Sequence, residues 1–509
     1  MAVSIGKSFA VMGIDAYPVT VEVDIRRGLP SYTTVGLPDQ AVIESKNRIN
    51  AAIKNSGYEF PVKKITVNLA PADVKKEGSA FDFPIALGIL EASGVLKKGA
   101  LGKGMGCAGE LSLDGRLRRI CGMLPIAMKL KKSGYRKILV PEENVKEAAA
   151  VGGIDVIPVK DLAAAVDYIN GKTDIEPYKM DINAGFVKNV DNSVDFSDIK
   201  GQYFAKRAME IASAGGHNVL MSGPPGAGKT MLARRLTTIL PPLTIEEAIE
   251  VTVIQSVAGS LEPDDPICSI RPFRSPHNTI SDVALVGGGS IPRPGEISLA
   301  HRGVLFLDEF PEFKRRVIEV LRQPLEEGYI TVSRASESVT FPARFMLIAA
   351  MNPCPCGYDE VPGKECTCTY NQIKKYRSRI SGPILDRIDI HIDVPQVKRT
   401  DLENMEKGED SAAIRSRAVA ARRKQVERFA DEPGVFCNGD MNAKVMEKTC
   451  PLSHDVRMLL SRAVDSCALS ARGYNKVIKL ARTVADLEGA EEITEGHVRE
   501  ALQYRFIDK

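Results

Sequence analysis

Apolar residues recur along this chain at two spacings, every second residue in some stretches and about every 3.6 residues in others, and each spacing predicts its own element. Val19, Val21, Val23 and Ile25 alternate with Thr20, Glu22 and Asp24, the repeat of a strand buried on one face. A turn at Gly36-Leu37-Pro38-Asp39 predicts a helix reaching Gly57, and residues 65–69 predict a second strand. Residues 77–90 place a small-residue turn before a helix, residues 110–123 read as a hairpin turning at Asp114-Gly115, and residues 135–144 as a strand running into a loop. Mixed α/β structure is expected over the first third.

Residues 172–200 are rich in Asp, Asn, Lys and Gly and hold no sustained period, as a linker would. An amphipathic helix over 201–214 leads to the apolar run 219–221, a buried strand. A glycine-rich turn follows, and Lys229-Thr230 open an apolar-periodic helix. Thr244 and Glu247 have the spacing of a capping box, which starts a helix reaching about Ala258. Residues 303–310 form an apolar strand ending in two carboxylates, with a helix expected over 312–321. Residues 329–352 read as strand, tight turn, strand: Val332 and Val339 flank a turn carrying Arg334, and the second strand ends at Asn352. Helical patterns occupy 411–430, 452–471, 475–488 and 494–504.

The strand, turn and helix around residues 223–230 carry Gly223, Pro224, Pro225, Gly226, Ala227, Gly228, Lys229 and Thr230. Glycines there let the backbone curl with its N–H groups inward, and the helix N-terminus adds positive potential, so the stretch suits a triphosphate. Lys229 is expected to reach the outer phosphates and Thr230 to hold Mg²⁺. A strand delivering Asp308 and Glu309 beside that loop supplies the rest of a hydrolytic site: Asp308 for the metal shell, Glu309 to polarise the attacking water, and Asn352 to align it. Arg387, near a later strand end, could serve a nucleotide on a neighbouring subunit.

Cys354, Cys356, Cys366 and Cys368 fall within fifteen residues. Two close pairs across a loop could fill a tetrahedral thiolate site for structural Zn²⁺; four free thiols are the alternative. His277 and His301 have no third group at metal-like spacing and read as structural or contact residues. Arg271 and Arg274 suit a phosphate, a neighbouring subunit or plain solvation. The basic helix over 411–430 reads first as a solvated or interface helix, with a nucleic-acid site as the alternative.

Composition narrows the class rather than the function. The 509 residues suffice for about three domains. Lys and Arg number 68 against 65 Asp and Glu, so binding charge for nucleic acid would have to be confined to one face or pore. No run approaches bilayer-spanning length and no secretory signal pattern is present, so a cytoplasmic location with no membrane partner is expected. Ten irregularly spaced cysteines are then thiols or metal ligands rather than a disulfide framework.

Residues 77–90, 110–123 and 135–144, in that order, resemble the proteolytic domain of Lon, a Ser/Lys peptidase. Ser79 lies near the position of the Lon nucleophile, but the residue matching the catalytic lysine is Leu124, which cannot accept a proton. Lys129, Lys131 and Lys132 follow on an exposed helical face. The resemblance implies a Lon-protease-like α+β fold over 1–171 without peptidase activity, used for substrate contact or assembly.

GPPGAGKT, LFLDE, Asn352 and Arg387 together resemble an AAA+ ATPase, and the hairpin between LFLDE and Asn352 is similar to the branch holding magnesium chelatase motors and MCM helicases. In that branch the hairpin lines the pore of a hexamer, which implies DNA contact by Arg334. Arg387 matches the arginine finger of LDRxD, with Arg379 close by, and Arg472 is similar to the sensor-2 arginine. The implied layout is a linker over 172–200, an AAA+ P-loop α/β core over 201–395 and a C-terminal helical lid over 396–509. The whole chain closely resembles the YifB/ComM family. That resemblance implies a hexameric ATP- and Mg²⁺-dependent motor moving single-stranded or branched DNA, with branch migration in recombination or natural transformation as its role. A chelatase- or chaperone-like motor acting on a protein partner or on metal insertion is the alternative, and an ATP-dependent protease a third.

Overall fold

A computed structural model describes residues 3–102, 104–180, 194–262, 266–289, 292–333, 338–396, 408–467 and 470–505. The chain divides into two units, Met1–Val187 with Ala248–Cys268, and Lys188–Glu247 with Ser269–Lys509. The helix Ile245–Ala258 therefore starts in the second unit and belongs to the first from Ala248 onward.

In the first unit the alternating segment is the strand Asp15–Arg26, antiparallel to both Ser4–Met12 and Lys64–Ala70, with Ser31–Val35 parallel to the latter at the edge. Val19, Val21 and Val23 are buried. Over this face lies Asp82–Ser93, a helix apolar all round and buried along nearly its whole length. Gly88 permits the approach, since a Cβ there would stand 2.7 Å from Val23 Cγ2. Asp39 caps the helix Gln40–Asn55 by accepting from Val42 N at 2.8 Å. The hairpin pairs Leu111 with Leu117, and a three-stranded parallel sheet joins Met105–Cys107, Lys137–Pro141 and Asp155–Val159.

Leu124, at the position the Lon resemblance gives to a lysine, is buried. Its N–H donates to Glu147 Oε1 at 2.9 Å, and Ser256 Oγ donates to the same oxygen. Ser79 Oγ donates to Glu110. Lys131 and Lys132 are exposed and Lys129 half-buried.

The second unit is built on a five-stranded parallel sheet, ordered Phe273–Arg274, Val304–Leu307, Met346–Met351, Val219–Ser222, Ile390–Asp393. Its three inner strands are buried runs, almost wholly apolar, as covering on both faces requires. The segment 329–352 holds three strands rather than two. Tyr329–Ser333 and Ser338–Pro342 form the antiparallel hairpin, and the chain then enters Met346–Met351 in the main sheet. Ala343 N donates to Gly328 O and closes the hairpin, while Arg302 N donates to Arg344 O and opens the new pairing. Arg334 lies outside the described residues.

The C-terminal segment is helical: Ser411–Arg428, Ala443–Thr449, His454–Cys467, Ala471–Glu488 and Glu495–Gln503. Several arginines of the basic helix Ser411–Arg428 face inward. Arg417 pairs with Glu210, Arg422 donates to Ser213 O and Ala214 O, and Arg428 pairs with Asp486.

Asp389 anchors one end of the sheet. It accepts from Asn218 N at 3.0 Å, pairs with Lys476 and stands 3.7 Å from His217 Nδ1. Burial opposes its ionisation, yet Lys476, with His217 and Lys479, outweighs burial and holds the carboxyl well below its ordinary range. Asp389→Ala would strand a buried ammonium, so the second unit is expected to lose roughly 3–5 kcal/mol, read as a lower denaturant midpoint at unchanged slope. Because the folded value is depressed, this stability is fully present above the unfolded value of about 3.9 and is lost as pH falls through the folded value. The variant should therefore differ from the parent at neutral pH and converge with it in strong acid.

Candidate nucleotide site

Three strands deliver the chemistry to one edge of the parallel sheet. Val219–Ser222 runs into the phosphate loop, its neighbour Met346–Met351 ends one residue before Asn352, and beyond that Val304–Leu307 ends at Asp308. All point the same way, so their C-terminal ends converge.

The loop's backbone depends on its glycines. Gly226 and Gly228 have φ of 77° and 93°, the left-handed region that favours glycine, and Gly228 caps the helix Lys229–Ile239. At Gly223 a Cβ would stand 2.2 Å from Val394 O. Gln202 braces the loop from outside, donating to Ala227 O at 3.4 Å and Pro395 O at 2.5 Å.

Lys229 is 8 % exposed. Its ammonium donates to Gly223 O at 2.5 Å, Pro224 O at 3.0 Å and Asn352 Oδ1 at 3.1 Å. Among the described residues it forms no ion pair within 4.0 Å. Burial pushes its pKa below the ordinary value, with Asp308 opposing. A buried cation held only by neutral oxygens at a helix N-terminus suits an anion such as a phosphate.

Thr230 Oγ1 donates to Asp308 Oδ2 at 2.7 Å, which sets a hydroxyl oxygen beside a carboxylate, the kind of oxygen donors that suit a partly hydrated Mg²⁺. Asp308 Oδ1 accepts from Glu309 N at 2.9 Å. Glu309 has φ of 52°, a strained value for a non-glycine residue and of a kind that clusters at functional sites. Its Oε2 accepts from Asn278 Nδ2 at 2.9 Å. Asn278 escapes a reading by motif; its one signal is its place in the Gly-, Pro- and Arg-rich stretch after the edge strand Phe273–Arg274.

Arg387 and Arg472 meet at the other edge. Asn218, just before the strand Val219–Ser222, donates to Arg387 O at 3.1 Å, so the length of that four-residue strand, about 13 Å, separates Arg387 from the loop. Arg387 donates to Pro383 O at 2.6 Å and pairs with Glu326. Arg472, in the first turn of Ala471–Glu488, stands 3.7 Å from the same carboxylate. The two arginines and Glu326 line an open cavity of about 450 Å³. Arg379 is elsewhere, paired with Glu312.

The remaining candidates are held internally. Arg271 pairs with Glu247, Arg274 binds Glu296 through two 2.6 Å bonds, and buried His301 accepts from Arg344 N at 3.0 Å. His277 is exposed beside Thr279. Cys354, Cys356, Cys366 and Cys368 come together, with all four Sγ atoms within 4.8 Å of one another.

Family models match the chain in three consecutive stretches: "Subunit ChlI of Mg-chelatase" over residues 21–144, "Magnesium chelatase, subunit ChlI" over 195–402 and "Magnesium chelatase, subunit ChlI C-terminal" over 408–505. Competence protein ComM of Haemophilus influenzae is 44% identical over 510 residues, covering 100% of this chain and 98% of that protein. The YifB protein of Salmonella typhimurium is 43% identical with the same coverage. Magnesium-chelatase subunit ChlI of Chlorella vulgaris is 23% identical over 59% of this chain and 84% of its own length. With GPPGAGKT and LFLDE at one edge of a parallel sheet and full-length identity at this level, the chain belongs to the YifB/ComM family of magnesium-chelatase-like AAA+ proteins.

Proposed function

We propose that the chain is a hexameric, ring-forming ATPase that couples hydrolysis at subunit interfaces to movement along DNA. The observation that carries the ATPase reading is the division of the second unit's sheet into two edges: Lys229, Thr230, Asp308, Glu309 and Asn352 at one, Arg387 and Arg472 at the other. Lys229 and the loop N–H groups bind phosphates, and Thr230 and Asp308 would hold a Mg²⁺ that would supply positive charge against the developing negative charge. Glu309 polarises the attacking water and Asn352 aligns it. Arg387 and Arg472 stabilise charge on a nucleotide held by the adjacent subunit.

The DNA part rests on the kinship with a competence protein and on the hairpin Tyr329–Ser333/Ser338–Pro342. Its tip, with Arg334, is assigned to a phosphate backbone in the pore, a contact that salt would weaken and sequence would barely affect. In this reading residues 1–171 are a Lon-like, non-peptidolytic domain, 172–200 a linker, 201–395 the AAA+ core and 396–509 the lid, in a cytoplasmic protein. The four cysteines offer Zn²⁺ a closed tetrahedral thiolate set. No helix among the described residues is long and apolar enough to cross a membrane.

The test is steady-state ATP hydrolysis with no DNA, with single-stranded DNA and with a four-way junction, at a salt concentration where the ring is assembled. Stimulation by DNA, absent in Glu309→Gln, is the expected result. Equal rates in all three conditions would sink the DNA-motor reading. The chelatase names of the matching family models favour one second reading, a motor acting on a protein partner, and stimulation by such a partner alone would select it.

A further inference from the structure

The cysteine cluster is joined to the phosphate loop by a contact that neither its sequence spacing nor its thiols announce. Cys354 is completely buried and begins a tight turn in which Gly357 N donates to Cys354 O at 3.0 Å. Asp359 N then donates to Cys354 Sγ at 3.3 Å, and an N–H aimed at sulfur favours the thiolate that a metal needs. Arg377 clamps the far side of the turn, donating to Pro353 O at 3.2 Å and Asp359 Oδ2 at 3.1 Å. These bonds tie the position of Gly357 to that of the Cys354 sulfur.

Gly357 is where the turn meets the nucleotide site. A Cβ on it would stand 2.6 Å from Pro225 Cδ and 2.8 Å from Pro225 Cγ, and 3.9 Å from Asn352 Cγ. Pro225 is inside the phosphate loop, and Asn352 accepts from Lys229. The space a side chain on Gly357 would need is thus taken by the loop's proline ring. Its φ of 84° is one that glycine alone adopts freely.

We infer that a divalent cation of the zinc class, bound by Cys354, Cys356, Cys366 and Cys368, seats Gly357 against Pro225 and so holds the phosphate loop and Asn352 in the form that binds nucleotide. The inference rests on the nucleotide reading above and goes beyond a structural role for the metal. Without the ion, the segment 366–368 is held to the segment 354–356 by Sγ contacts of 3.6 and 3.7 Å and by backbone N–H groups directed at sulfur, weaker links than metal–thiolate bonds, and the seat of Pro225 loosens. Nucleotide affinity would then depend on metal occupancy, although the metal never touches the nucleotide.

Two measurements on the full-length protein separate the steps. The first is metal content by elemental analysis, together with the absorption of tetrahedral thiolate-bound Co²⁺ after exchange. The second is affinity for a fluorescent ADP analogue, with Lys229→Ala as the control for loop-specific binding. One zinc-class ion per chain is expected in the parent protein. Cys356→Ser with Cys366→Ser should abolish both the ion and the Co²⁺ band and weaken nucleotide binding at least tenfold. Gly357→Ala should keep the ion and the band, because the four thiolates are unchanged, yet weaken nucleotide binding by a comparable factor, because its methyl group meets Pro225 and strains the turn at a φ of 84°. A protein without bound metal, or nucleotide affinity unchanged in the cysteine variant or in Gly357→Ala, overturns the inference. Parent protein that binds metal but no nucleotide above the Lys229→Ala level would instead overturn the nucleotide reading.

Discussion

Glu309→Gln is expected to lower ATP turnover by on the order of 10²–10⁴-fold while nucleotide binding stays near the parent's. The amide is nearly isosteric, so the left-handed backbone at Glu309 and the bond from Asn278 have little reason to change shape. What it removes is the negative charge that, in the mechanism proposed, polarises water. Lys229→Ala provides the contrast: it deletes the buried ammonium that bridges Gly223 O, Pro224 O and Asn352, so binding itself should fail along with turnover. Measuring nucleotide affinity and single-turnover hydrolysis on the same preparations distinguishes the two. If Glu309→Gln lost affinity as severely as Lys229→Ala, Glu309 would be a structural or metal-shell residue. If it turned over at the parent's rate, the water would be activated by another group.

The part of this site that could be read from sequence is the part made by contiguous residues. Strand, glycine turn and helix around residues 219–236 follow from local rules, and an apolar run ending in Asp308-Glu309 says where it must stop. What escaped is chemistry made across strands. Asn278 reaches Glu309 from 31 residues away, and nothing in its own neighbourhood announces the partner. Glu326 joins Arg387 and Arg472 from a short helix, Arg322–Glu327, that the apolar pattern merges into other structure. The expected helix over 312–321 is instead a 3-10 turn, Phe310–Glu312, followed by the helix Arg315–Val320.

The fold shows the same limit. The hairpin and the strand Met346–Met351 read as one continuous pattern because Ala343 and Arg344, which end one pairing and begin another, carry no strong turn signal. The helix Ile245–Ala258 was legible as a helix from its capping box, confirmed in the bonds between Thr244 and Glu247. Its membership of the first unit from Ala248 onward was not. Bonds such as Gly122 N to Ser256 O decide it, and those span more than a hundred residues of chain.

The second large effect expected is at the opposite edge of the sheet. Arg387→Ala should cut turnover by on the order of 10³-fold or more, in the range of other arginine fingers, and Arg472→Ala in the same direction. Neither residue can serve the phosphate loop of its own chain without crossing the length of the sheet, since Arg387 is fixed beside Asn218 at the start of the strand Val219–Ser222 and Arg472 shares its carboxylate. The consequence is testable by mixing. Arg387→Ala subunits keep an intact phosphate loop, and Lys229→Ala subunits keep an intact arginine, so each preparation alone should be nearly inactive. Co-assembled, the loop of one faces the arginine of the other, and hydrolysis should reappear at those interfaces. The same mixture made with the double variant Lys229→Ala/Arg387→Ala in place of Lys229→Ala offers no such pairing and should stay silent. Recovery only in the first mixture places the arginine in trans. No recovery in either, with subunit exchange verified independently, would mean that Arg387 acts on its own chain or supports the sheet rather than the nucleotide. Release of Glu326 is part of the same prediction: a phosphate from the adjacent subunit must displace that carboxylate from both guanidinium groups, so Glu326→Ala should weaken the dependence of turnover on protein concentration while leaving the mixing result unchanged.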